Sequence, residues 1–134
     1  MTAAAETGRA GERAATEYLR RAGYEICALN WRQGRYELDI VACREGVLHF
    51  VEVKTRQSAH YGAGREAVDL RKQRKITATA FHYLTQHPEA PHKLRFDVAD
   101  ILAPQGVRTE RPELRYLENA FAYDPSNLTE PGGS

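Results

Sequence analysis

The first half of the chain shows one helical pattern of apolar residues followed by three strand-like patterns. From about Ala5 to Ala22, apolar and small residues recur every three or four positions, which predicts a helix that ends at Gly23. Three runs rich in β-branched and aromatic residues come next. The predicted strands are Tyr24–Trp31, Tyr36–Cys43 and Val47–Lys54. The sequence Arg44-Glu45-Gly46 predicts a hairpin turn between the second and third strands.

The second half predicts one more helix and one or two more strands. Asp69 can cap a helix that runs to about Gln86. Its predicted apolar face contains Ile76, Ala80, Phe81 and Leu84. The segment Leu94–Leu102 predicts a fourth strand, and Leu114–Tyr123 is either a fifth strand or an irregular edge. Because a strand, a helix and a strand in succession form a parallel crossover, the sequence predicts an α/β fold. It is a mixed β-sheet flanked by helices, in the order αβββαβ.

Length and composition favour a single domain over residues 1–123, followed by a tail, 124–134, that is expected to be disordered. The net charge of +1 neither requires nor excludes a polyanionic partner, so only local clusters of charge are informative. No apolar run approaches membrane-spanning length, and the first residues lack a signal-peptide core. Cys27 and Cys43 are expected to be reduced core residues. The expected location is therefore the cytoplasm, with no membrane partner.

Three charged residues, Asp39, Glu52 and Lys54, interrupt strands that are otherwise apolar. Glu52 and Lys54 share one strand face near the strand's end, at the rim of a core. Charge at such a place costs free energy unless a partner or a metal compensates it. Two carboxylates on neighbouring strands can hold Mg²⁺, and Lys54 can orient or deprotonate a water, or neutralise charge on a phosphate. Together these are the parts needed to hydrolyse a phosphodiester.

The pattern of an acid, a hairpin and Glu-x-Lys resembles the PD-(D/E)xK nuclease superfamily. Further motifs follow one another along most of the chain, from about Gly8 to Tyr123. They are Gly11-Glu12, Asn30-Trp31-Arg32, Glu37-Leu38-Asp39, Phe50-Val51-Glu52-Val53-Lys54-Thr55-Arg56, Lys72-Gln73-Arg74 and Arg95-Phe96-Asp97. This set resembles the bacterial YraN-type family, which is similar to Holliday-junction resolvases. Where that family usually has Gly before Glu-x-Asp, this chain has Tyr36, and no proline precedes Asp39.

The resemblance implies a restriction-endonuclease-like fold and a Mg²⁺- or Mn²⁺-dependent endonuclease acting on DNA, with branched or repair intermediates as substrates. It implies that Asp39 and Glu52 are metal ligands and that Lys54 is the catalytic lysine. Glu12 would be the helix carboxylate that resolvase-like relatives add to the site.

Cations near these acids are the candidates for phosphate binding. They are Arg56, Arg65, Lys72, Arg74 and Lys75. Because cations at a helix start oppose the helix dipole, the cluster hints at an anionic partner. The predicted partner is nucleic acid, with DNA preferred, and a homodimer is left open.

Several alternatives stay open from the sequence. A lone Glu-x-Lys is most often a surface ion pair, and a charged helix start is usually a solvated face. Glu37 is either a further ligand or a solvated neighbour of Asp39, and Glu12 could instead pair with Arg9 or Thr16. In function, the main rival is a nucleic-acid-binding adaptor without cleavage. A sugar hydrolase with paired carboxylates is a weaker one, because the single Trp offers little surface for stacking a sugar.

Overall fold

The computed structural model describes residues 2–58 and 68–122. Within these residues, two α-helices and five strands occur in the order αβββαββ, and a short 3₁₀ helix (Gly106–Arg108) lies before the last strand. Every predicted element is therefore present, and the last segment is a true strand. The elements are α1 (Ala3–Arg21), β1 (Glu25–Gln33), β2 (Tyr36–Arg44), β3 (Val47–Arg56), α2 (Leu70–Gln86), β4 (Lys93–Leu102) and β5 (Glu113–Phe121). The predicted disordered tail, 124–134, lies outside the described residues.

The five strands form one mixed sheet in the order β1-β2-β3-β4-β5. β1, β2 and β3 are antiparallel neighbours, and β4 runs parallel to β3 because α2 carries the chain back between them. β5 returns antiparallel along β4. Asp69 caps α2 as predicted, since its side chain accepts a hydrogen bond of 2.8 Å from the Lys72 N–H. The arrangement is a restriction-endonuclease-like α/β fold, which confirms the predicted fold class.

Each helix covers one face of the sheet and buries its own core. On the α1 side the core contains Ala15, Leu19, Ile40, Val51 and Ile101. On the α2 side the largest contributions come from aromatic rings. They include Trp31, Phe50, Tyr83, Phe96 and Phe121. The sheet is therefore buried on both faces, as expected when a parallel crossover puts a helix on a mixed sheet.

Two predictions about core residues are wrong. Phe81 is 37% exposed, whereas Tyr83 is buried, because the inward face of α2 follows Ile76, Ala80 and Tyr83 rather than Phe81. Cys27 is exposed instead of packed in the core. The pairing of β1 with β2 shifts between Ile26 and Ala28, and this bulge takes Cys27 out of the alternation that would bury it.

Gly11 lets α1 approach the sheet closely. A Cβ atom at this position would lie 1.9 Å from the Thr55 Oγ1 and 3.1 Å from the Thr55 Cβ, far inside van der Waals contact. The missing side chain therefore sets the distance between α1 and the end of β3. Since Glu12 is the next residue, the same contact fixes where that carboxylate meets the sheet.

His49 is buried and hydrogen-bonded. Its Nδ1 lies 2.6 Å from the Asp97 Oδ2, and both side chains are almost fully buried. Asp97 also accepts hydrogen bonds from the Tyr116 hydroxyl and, at 2.8 Å, from the Asn119 N–H. The network fastens β5 to β4 beside β3 and satisfies a buried carboxylate.

Within residues 2–58 and 68–122, neither helix has an apolar stretch long enough to cross a lipid bilayer.

Candidate metal and catalytic site

Asp39 and Glu52 face each other across the β2–β3 hairpin. The register pairs Ile40 with Val51, so the next positions on the two strands bring Asp39 and Glu52 opposite each other. Asp39 accepts a hydrogen bond of 2.8 Å from the Val53 N–H, and its side chain is also hydrogen-bonded to Glu52. The two carboxyl groups are thus in contact, and Glu52 is only 8% exposed.

The pKa values of both acids are raised. Burial is the main cause for each, since removing a carboxylate from water disfavours its charged form. For Glu52, repulsion from Asp39 adds to burial, and together they raise the pKa to about 7, although Lys72 and Lys54 oppose the rise. For Asp39, hydrogen bonds from Val53 and Glu52 only partly offset burial, so its pKa is raised as well. The pair therefore binds a proton more tightly than solvent-exposed acids do, and a cation could replace that proton.

An open pocket of about 450 Å³ contains the acid pair together with Lys54 and Glu12. All four residues that the sequence singled out as catalytic therefore line one pocket. Lys54 forms no ion pair with any residue in the described part of the chain, although its charge lowers the pKa of both acids. Its ammonium group is close enough to act on the acids electrostatically and is available to a further anion.

Glu12 reaches the pocket from α1. Burial raises its pKa, as does the nearby Asp39 carboxylate, while a hydrogen bond with the Asn30 side chain lowers it. The side-chain partner is thus Asn30, whereas Thr16 bonds to the Glu12 backbone carbonyl, at 2.7 Å. Arg9 acts on Glu12 only through its charge.

Asn30 is a site residue to which sequence reasoning gave no role. It has a φ of 50°, and the pairing of β1 with β2 skips Asn30 and Asp39, between Leu29↔Ile40 and Trp31↔Leu38. Asn adopts the left-handed region more readily than most residues do. Asn30 can therefore take this backbone conformation and also hydrogen-bond to Glu12 through its side chain. The signal in the sequence was a polar residue between Leu29 and Trp31, inside a strand.

The acids fit a hard divalent cation better than a softer metal. Among residues 2–58 and 68–122, no group of three or more His, Cys, Asp or Glu side chains could hold a metal ion. Mg²⁺ needs no such group, since it is commonly bound by one or two carboxylates while water and phosphate oxygens complete its octahedron. Two carboxylates that share a proton, in an open pocket, match this donor set.

The predicted phosphate-binding cations separate into two groups. Lys72 reaches Glu52 at 3.4 Å, and Arg56 lines the pocket while its Nε donates to the Asp100 Oδ1 at 3.0 Å. Arg74 and Lys75 are exposed on α2 and do not line the pocket. Arg65 lies outside the described residues.

Two residues flanking the acids have surface roles. Glu37 lies 3.7 Å from Arg32, and both side chains are more than half exposed, so Glu37 is a solvated neighbour of the site. Tyr36, which stands where the YraN-type family usually has Gly, begins β2, and its ring contacts that of His82 at a tilt of 33°, with centroids 4.2 Å apart. Tyr36 in place of the usual Gly therefore leaves Asp39 and Glu52 aligned.

Comparison with known proteins gives a consistent result. The model of the uncharacterised protein family UPF0102 matches residues 11–101. The UPF0102 protein of Porphyromonas gingivalis strain W83 is 45% identical over 117 residues, which cover 87% of this chain and 84% of that protein. The UPF0102 protein of Symbiobacterium thermophilum is 44% identical over 115 residues, covering 85% and 94%. That of Chloroherpeton thalassium is 34% identical over 118 residues, covering 85% and 92%. The chain therefore belongs to family UPF0102, the YraN-type family that its motifs resemble.

Proposed function

We propose that this protein is a Mg²⁺- or Mn²⁺-dependent endonuclease that hydrolyses phosphodiester bonds in DNA. The observation that carries the proposal is the contact of the buried Glu52 carboxyl with the half-buried Asp39 carboxyl, in an open pocket. Lys54 lies beside them and pairs with no acid in the described part of the chain. Because burial raises the pKa of both acids, ionising them costs folding free energy, and a bound cation would remove that cost. A simple ion pair does not account for this arrangement, because Glu52 contacts the like-charged Asp39 as well as Lys72.

Each residue has a separate role in this proposal. Asp39 and Glu52 would hold the cation, which would supply Lewis-acid activation of water and of the phosphate. Lys54 orients the attacking water and offsets the negative charge that develops on the phosphate. Glu12 adds a carboxylate on the α1 side of the pocket, and Asn30 holds it in place.

The cations around the pocket are proposed to position the phosphates. Arg56 and Lys72 are nearest to the acids, while Arg74 and Lys75 extend the positive surface along α2. The activity is proposed for the cytoplasm.

A cleavage screen tests the proposal. Linear, flapped and four-way-junction DNA are incubated with the wild type in Mg²⁺, in Mn²⁺ and in EDTA. We expect cleavage of branched substrates that needs metal, is lost in Asp39→Asn, and survives in the control Glu37→Gln, whose carboxylate is on the surface. Salt-sensitive binding without cleavage in any metal would overturn the nuclease and select the adaptor. Cleavage that persists in EDTA would overturn the metal site.

A further inference from the structure

A second, larger groove runs along α1 at the β1 edge of the sheet. Its volume is about 780 Å³. Four arginines line it together with two glutamates, so its walls carry a net positive charge. The arginines are Arg9, Arg13, Arg20 and Arg32. β1 has no neighbour on its outer side within the five-stranded sheet.

The arginines of α1 form one row on the surface of the helix. Positions 9, 13 and 20 lie on one face at the helical period of 3.6 residues, with separations along the axis of about 6 and 10 Å. All three side chains are exposed, and none makes an ion pair with a described residue. Arg20 lies in the last turn, where a cation also offsets the helix dipole. Arg9 and Arg13 lie before the last turn, so the helix dipole does not explain why these positions carry cations.

The groove adjoins the acid pocket, since Glu12 lines both of them. A ligand in the groove that extends past Glu12 would reach Asp39 and Glu52. The cations of α2 do not line the groove. Lys72 is paired with Glu52, and the exposed cations next to it on α2 line neither the groove nor the pocket.

We infer that the α1–β1 groove is the path along which a nucleic-acid strand enters the site, with Arg9 and Arg13 binding its phosphates. The inference rests on the proposed function, because it takes the acid pocket as the place of cleavage. A polyanion fits a groove lined by exposed guanidinium groups, which bind phosphates in a bidentate manner. Leu29, 46% exposed in the same groove, offers an apolar contact for a sugar or a base.

The test measures affinity against salt concentration in EDTA, where no cleavage occurs. The probes are a labelled single-stranded DNA and a labelled four-way junction. The wild type is compared with Arg9→Gln/Arg13→Gln and with a control of equal charge change, Arg108→Gln/Arg111→Gln. The control arginines are exposed and lie outside both the groove and the pocket. Thermal unfolding checks that both double variants are folded.

We expect the groove variant to bind on the order of tenfold more weakly at low salt, since it loses two charged hydrogen-bonding contacts. Its slope of log affinity against log salt should fall by about 1.4 to 1.8, as expected for two lost phosphate contacts. The control should keep the wild-type slope. Wild-type slopes in the groove variant, or equal losses in both variants, would overturn the inference.

Cleavage of the same probes in Mg²⁺ separates this inference from the proposed function. If binding depends on Arg9 and Arg13 but the protein cleaves no DNA with any metal, the groove inference is supported and the proposed nuclease activity is refuted. If the wild type cleaves DNA and the groove variant binds and cleaves it equally well, the proposed nuclease activity is supported and the groove inference is refuted. A wild type that binds neither probe would overturn both.

Discussion

Replacing Glu52 by Gln should make the metal-free protein more stable at neutral pH. In the folded protein, burial and the Asp39 carboxylate raise the Glu52 pKa to about 7, compared with an ordinary value of 4.5. A raised pKa means that the folded state binds the proton more tightly than the unfolded chain does. The stability that this carboxyl contributes is therefore fully present below pH 4.5 and is lost as pH rises through 7.

The size of the effect follows from the pKa values. Each pKa unit corresponds to about 1.4 kcal/mol, so the wild type should lose about 3 kcal/mol of unfolding free energy from this carboxyl between pH 4.5 and 8. Gln keeps the shape of the side chain and removes the charge. Glu52→Gln also removes the partner of Lys72, but the Lys72 side chain is 43% exposed, and such a pair contributes less than about 1 kcal/mol. The variant should thus gain about 2 to 3 kcal/mol at pH 8 and almost nothing at pH 4.5.

Urea unfolding between pH 4.5 and 8, in EDTA, measures this difference. Glu37→Gln is the matched control, because its carboxylate lies on the same hairpin but at the surface, and it should show no such dependence on pH. Added Mg²⁺ should stabilise the wild type at pH 8 and leave Glu52→Gln unchanged, because the cation replaces the proton between the acids. A variant that is less stable than the wild type at pH 8 without metal would refute the reasoning. A gain of equal size at both pH values would do the same.

Three further predictions concern the lysine, the helix contact and the strand asparagine. Lys54→Ala should abolish turnover while DNA affinity in EDTA changes little, and an equal loss of both would make Lys54 a docking residue. Gly11→Ala should lower the unfolding free energy by about 1 to 3 kcal/mol, because its Cβ would lie 1.9 Å from a β3 hydroxyl. The control Gly8→Ala has nothing within 4 Å and should be neutral or stabilising in a thermal melt. Asn30→Gly keeps the φ of 50° and removes the hydrogen bond to Glu12, so it should lower cleavage more than stability; a loss of stability alone would assign Asn30 to the fold.

The convergence of the two acids could be predicted because a hairpin fixes the register of its strands. Arg44 pairs with Val47 around the turn, and each step outward adds one residue on both strands as far as Ile40 and Val51. Asp39 and Glu52 are the next residue on each strand. The period of two then puts Lys54 on the same face as Glu52. Both relations are local in sequence, so no knowledge of the rest of the fold was needed.

The errors lie where the alternation is interrupted or where a helix face is ambiguous. Cys27 leaves the core at a bulge, and Asn30 takes a left-handed conformation where β1 and β2 fail to pair, and neither event follows from residue types alone. Phe81 and Tyr83 are equally apolar candidates for the α2 core. Tyr83 is buried because its ring meets Trp31 and Phe50 edge to face, and both partners come from distant strands.

The availability of the cations is also set by tertiary contacts, not by their density in the sequence. The run around Lys72 is the densest cationic stretch near the acids, yet Lys72 itself is occupied by Glu52, twenty residues away in sequence. The arginines of α1 alternate with glutamates and look balanced along the chain. The helical period nevertheless gathers Arg9 and Arg13 on one face beside Glu12, where no described acid pairs with them within ion-pair distance. Because a phosphate must compete with any carboxylate already bound to a cation, Arg9 and Arg13, which pair with no described acid, should bind DNA more strongly than the paired Lys72.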